Sequence, residues 1–203
     1  MAGYPPKAVL EKLAVTGFGF LEVLGPRDDL APVLVARYVT QLGAPDGRWD
    51  VIIDHAEPDL GFKINAEWER TALSSGLFSM TDDGKPEFLL GVDVSVDTSD
   101  EPEFRSYRWA RVSLSEPWDI AGTGCESGLL GAGPNNPTFA MMSVDGEVVM
   151  IAGYWQIGIG FAVASHPERI PKLREHAKRT AANAHVENAQ RLWAERWLRN
   201  SSS

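Results

Sequence analysis

Thr138-Phe-Ala-Met-Met-Ser-Val144 and Glu147-Val-Val-Met-Ile-Ala-Gly-Tyr154, joined by Asp145-Gly146, decide the fold. Two apolar runs of strand length on either side of Asp-Gly, a dipeptide suited to a type I′ turn, predict an antiparallel hairpin. Ile157 to Ala164 follows, nearly all apolar, and reads as a central strand. Upstream, Phe88 to Thr98 alternates with Leu90, Val92, Val94 and Val96 on one side, and Phe104 to Leu114 is its expected hairpin partner. A turn centred between Asp100 and Glu101 sets Val92 opposite Trp109, Val94 opposite Tyr107 and Asp93 opposite Arg108. A slip of one residue would place Arg108 among Leu90, Val92, Ala110 and Val112, costly without a partner, so the first register is expected.

Nearer the N-terminus, Pro6 to Val15 reads as a short helix closed by Gly17, and Phe18 to Leu24 as a strand. A second helix is predicted over Leu30, Val33, Leu34, Ala36 and Val39, with Asp28 or Asp29 as cap, Pro32 in the first turn and Gly43 beyond the end. Trp49 to His55 is a strand candidate. Phe62, Ile64, Ala66 and Trp68 alternate with Lys63, Asn65, Glu67 and Glu69, which reads as a half-buried strand, and another is expected over Ala72 to Met80.

At the other end, residues 166–199 predict a long helix. Ser165 to Glu168 has the Ser-x-x-Glu form of a capping box, and Glu168/Lys172, Glu175/Arg179, Glu187/Arg191 and Glu195/Arg199 are i,i+4 pairs with the acid first. At 100° per residue, Ile170, Leu173, Ala177, Ala181 and Ala184 form one apolar stripe, and Val186, Ala189, Trp193 and Trp197 another on roughly the opposite side. Either the helix kinks near 182–185 and both halves reach one core, or its second half meets a different surface, with those four residues as the interface. The second case would make the chain a homodimer or bind a protein partner through this helix.

The order of elements defines one α+β domain over residues 1–203: an antiparallel β-sheet with N-terminal helices and a long C-terminal helix. That order is compatible with helix-grip folds, whose sheet curls around the last helix and leaves an apolar cavity. Residues 115–136, with five glycines and two prolines, read as a long loop able to act as a lid.

The net charge is −9, with 11 Lys/Arg against 24 Asp/Glu in residues 1–165 and 8 against 4 in 166–203. Such a body repels phosphate backbones, so neither nucleic acid nor an anionic membrane is an expected partner. No apolar run reaches the roughly 18 residues of a membrane span, and the first residues lack a secretion signal, so the expected address is cytoplasmic. Cys125 is the single cysteine, which excludes intrachain disulfides and thiolate-rich metal sites.

The densest set of titratable groups is Asp54-His55-Ala56-Glu57-Pro58-Asp59, where a histidine beside carboxylates could act as a general base. No metal is expected, because Asp54 and His55 on a strand point apart and no metal-binding histidine spacing occurs. Gly122-Thr-Gly124-Cys-Glu-Ser-Gly128 fails as a dinucleotide loop on spacing and context, so no cofactor is expected. Tyr107, Trp109, Trp118, Tyr154 and Trp155 are the aromatic residues expected to line a cavity.

Two functional readings follow. In one, the chain binds a small apolar molecule between sheet and C-terminal helix, or performs cofactor-independent acid–base chemistry of the isomerase, cyclase or lyase kind, with His55 or an Asp93/Arg108 pair as catalytic groups. In the other, it is an acidic interaction module, an inhibitor, immunity-type or accessory factor, anchored by Trp193 and Trp197.

Overall fold

The computed structural model describes residues 5–94 and 106–200. Its centre is an antiparallel sheet of eight strands: β1 (Phe18–Val23), β2 (Arg48–Ile53), β3 (Ser79–Met80), β4 (Pro86–Asp93), β5 (Tyr107–Leu114), β6 (Ala140–Met142), β7 (Val148–Trp155) and β8 (Gly158–Ser165). The spatial order is β1-β5-β4-β6-β7-β8-β2, with β3 paired to the start of β4. Five helices cover it: α1 (Lys7–Thr16), α2 (Val33–Ala36), α3 (Leu60–Ser75), α4 (Pro171–Ala182) and α5 (Asn188–Asn200).

Strand alternation sends side chains to both faces, and both are dry. Phe88, Leu90, Val112, Met150 and Phe161 meet Leu13 of α1, Ile64 and Trp68 of α3, and the 115–136 segment. Leu89, Trp109, Val149, Ile151 and Ala162 meet α2, α4 and α5 on the other side. The α+β class is as expected, and β8 lies inside the sheet between β7 and β2. The space between sheet and C-terminal helices is filled by Trp109, Trp193 and Trp197, all at most 1% exposed.

Several local expectations are overturned. Residues 60–75 form α3, not strands. The helical set Leu60, Ile64, Trp68 and Ala72 is spaced by four, a multiple of two, so period-2 alternation and a helical face coincide there. α3 ends where Gly76 turns left-handed and Leu77 N–H donates to Ala72 O at 2.9 Å, with Leu77 buried beneath. The second helix shrinks to α2 plus a 3-10 turn over Arg37–Gln41, because Asp29 is bound to Arg27 and caps nothing.

The β4–β5 register is the slipped one: Val92 faces Arg108, Gly91 faces Trp109 and Asp93 faces Tyr107. Its cost is offset because Arg108 gains a partner in Glu187, far away in sequence. The turn expected at Asp100 and Glu101 lies outside the described residues. In the β6–β7 hairpin, Gly146 alone takes positive φ (80°) and its N–H donates to Ser143 O. A type I′ turn needs positive φ at two residues, so the connection is a longer turn ending on Gly146.

The C-terminal helix is two helices. Ser165 belongs to β8, and the capping box is replaced by a 3-10 turn over Pro167–Arg169 before α4. Asn183 leaves the helix with extended backbone, and its side chain accepts from the His185 N–H at 3.0 Å, closing a local turn between α4 and α5. Both apolar stripes thereby bury on the same sheet face. The i,i+4 pairs give way to tertiary ones: Lys172 bonds Asp46, and Glu187 bonds Arg108.

Residues 115–136 are packed rather than lid-like. Asp119 accepts from Gly122 N–H, Thr123 N–H and Asn65, while the Asn65 carbonyl accepts from Ile120 and Ala121 N–H. Ile120, Ala121, Cys125 and Leu130 are fully buried. A methyl on Gly131 would lie 2.1 Å from Asn136 O, so that glycine serves close approach rather than mobility.

Candidate functional site

The expected site residues scatter into three settings. Trp109 is in the core, its indole N–H donating to Ala31 O at 2.7 Å. Trp118 is on the opposite face, edge-on to Trp68 with ring centroids 5.1 Å apart. Trp193 donates to Leu30 O at 2.8 Å, and Trp193 and Trp197 are buried by their own chain, so neither faces outward; Val186 and Ala189 are half-buried beside the joint. Arg108 is forked onto Glu187, and Asp93 lies opposite Tyr107 in the β4–β5 ladder.

His55, Tyr107, Tyr154 and Trp155 fall near one another's neighbours. His55 follows β2, with Nε2 3.0 Å from Trp155 O and its ring 4.4 Å from that of Tyr154. A carbonyl only accepts, so the imidazole proton sits on Nε2. Asp54 accepts from Ala56 N–H, and His55 has no ion pair with a carboxylate among the described residues.

Beyond Trp155 lies a groove of about 480 Å³ between β7, the start of β6 and the 3-10 turn, lined by Arg37, Thr40, Gln41, Thr138, Phe139 and residues 151–155. The Trp155 indole lies flat over Gly153 and Gly160; a methyl on Gly160 would come within 2.1 Å of its ring. Arg48 fixes the roof, donating to Thr40 O at 2.5 Å and Leu42 O at 2.8 Å while its other nitrogens bind Asp50 at 2.7 Å.

Arg37 is the chemical feature of this groove. Its guanidinium stacks over Tyr107, 4.6 Å from the ring centroid, and its buried Nε has no hydrogen-bond partner among the described residues. Three other partly buried arginines are forked onto a carboxylate, Arg48 onto Asp50, Arg108 onto Glu187 and Arg111 onto Glu87, and two more, Arg174 and Arg191, donate to the backbone carbonyls of Glu168 and Ala181. Arg37 has no such partner among the described residues. An arginine held rigid by an aromatic face with its donors uncommitted is prepared to receive a planar anion from outside. Sequence reading missed it, although a cation inside the apolar run Val33 to Val39 was the available signal.

No group of three or more His, Cys, Asp or Glu able to hold a metal occurs among the described residues, and no helix among them is long and apolar enough to cross a membrane. No protein-family model, curated protein or solved structure matches this chain at a significant level. The fold and the groove define it as an α+β protein with helices on both faces of an antiparallel sheet and a cationic, aromatic-walled cleft at one end of that sheet.

Proposed function

We propose that this protein binds a small planar carboxylate in the Arg37–Trp155 groove. The observation that carries the reading is the guanidinium of Arg37, with a buried Nε that has no hydrogen-bond partner among the described residues, beside an indole shelf, in contrast to Arg48, Arg108 and Arg111, each forked onto a carboxylate. The carboxylate takes the Arg37 fork, the ring lies along Trp155, and Thr40, Gln41 and Thr138 supply hydrogen bonds at the rim. This reading replaces the apolar ligand expected from sequence with an amphipathic one, because Trp109, Trp193 and Trp197 occupy the space between sheet and C-terminal helices.

Isothermal titration calorimetry with naphthalene-2-carboxylate, and with the uncharged amide of the same ring, tests the reading. The acid should bind at least about tenfold more tightly than the amide, a difference near 1.4 kcal/mol. Arg37→Met should erase that preference without changing the melting temperature. Equal affinity for acid and amide, or a preference that survives Arg37→Met, would refute it.

A further inference from the structure

α3 has two apolar faces. Leu60, Ile64, Trp68 and Ala72 pack inward, whereas Phe62, Ala66 and Leu73 point outward, with Phe62 76% and Leu73 64% exposed. Together with Glu69 they are spaced i, i+4, i+7, i+11, one stripe about 16 Å long at 1.5 Å per residue. Single exposed apolar residues are ordinary, but an aligned set on the outer face of a surface helix marks an interaction surface.

Charge says what covers it. The two cations of α3 are taken, Lys63 by Glu57 and Arg70 by Glu67. Glu69, inside the stripe, has no ion pair among the described residues. The segments 7–16, 54–76 and 115–136, which build this side of the molecule, hold nine carboxylates against four cations. An anionic bilayer or a nucleic acid is repelled from such a field. A second copy would bring the same sign of charge to this face.

We infer that the outer face of α3 docks a basic amphipathic helix of a partner protein. Its apolar residues at i, i+4 and i+7 lie along Phe62, Ala66 and Leu73, and a lysine or arginine on its flank meets Glu69. This surface is on the opposite side of the sheet from the 3-10 turn that carries Arg37, and rests on none of the groove's residues.

Fluorescence anisotropy of a labelled 18-residue leucine/lysine amphipathic peptide against the full chain tests the assignment. The wild type should bind, Phe62→Ser/Leu73→Ser should weaken binding at least about tenfold, and Glu69→Lys should weaken it as well. Asp82→Asn/Asp83→Asn, in the β3–β4 turn, should leave it unchanged. Three outcomes would overturn the inference: no binding by the wild type, binding indifferent to Phe62→Ser/Leu73→Ser, or an equal loss in Asp82→Asn/Asp83→Asn, which would signal bulk charge attraction. A sedimentation-detected dimer abolished by Phe62→Ser/Leu73→Ser would overturn it in favour of self-association, and stripe-dependent binding to phosphatidylserine vesicles in favour of a membrane.

Discussion

Glu187 receives both terminal nitrogens of Arg108, at 2.9 and 2.7 Å, and so ties β5 to the joint between α4 and α5. Burial works to raise the Glu187 carboxyl, but hydrogen bonds from Arg108 and Ser106 and the Arg108 charge outweigh it and hold the group below its usual value of 4.5. Because folding lowers this pKa, the pair contributes stability at pH above 4.5, and the contribution fades as pH falls through the folded value. Glu187→Gln should cost about 1–2 kcal/mol at pH 7, the lower part of the range for charged hydrogen bonds because Glu187 is partly exposed. Urea unfolding should show that difference shrinking below pH 4; a gap constant with pH would mean the pair is not the cause.

Trp193 should behave as a core residue. Trp193→Phe removes the hydrogen bond to Leu30 O and should cost about 1–2 kcal/mol. Trp193→Ala also opens a cavity and should cost about 3–5 kcal/mol. Thermal unfolding reads both, and a wild-type melting temperature for Trp193→Ala would contradict the burial described above.

Close packing of 115–136 predicts unequal costs for two glycine substitutions. Gly131→Ala drives a methyl into a backbone oxygen and should cost about 2 kcal/mol or more. Gly47→Ala meets no atom within 4 Å and should cost about 1 kcal/mol, from its positive φ alone. Chemical denaturation of the pair checks the ranking; near-neutral Gly131→Ala would restore the picture of a loose lid.

Cys125 should be silent toward thiol reagents in the native protein. It is fully buried, and burial pushes its thiol up to about 12, so little thiolate exists at pH 8 and none of it is accessible. Ellman's reagent should react with one thiol in guanidinium chloride and with almost none without it. Rapid native labelling would show that the segment opens readily.

The hairpins and the central position of β8 are legible because each depends on neighbours along the chain, and the two opposed stripes leave a break near 182–185 as one of two alternatives. What failed depended on residues far away. The register at Arg108 is not legible locally, because its cost depends on Glu187, which only the folded chain brings near. α3 was misread because spacing by four satisfies both periods. The groove is half legible: Tyr154 and Trp155 are among the aromatic residues the sequence points to, whereas Arg37 is significant only once its buried Nε is seen to lack a partner among the described residues.

The strand order also fixes a sequence of events. β1 and β2 leave the ribosome before every other long strand, yet they form the two rims of the sheet: Phe18 waits for Leu114, and Arg48 waits for Ala164. The β4–β5 and β6–β7–β8 hairpins are local and close quickly, whereas the rims need pairings of high sequence separation, which are slow. Until β8 is made, Trp49 and Ile52 have no strand to lean on, so the newborn chain carries an unpaired apolar segment through most of its synthesis. The β1 rim has its partner once β5 is made, whereas β2, at the other rim, waits for the last strand of the sheet.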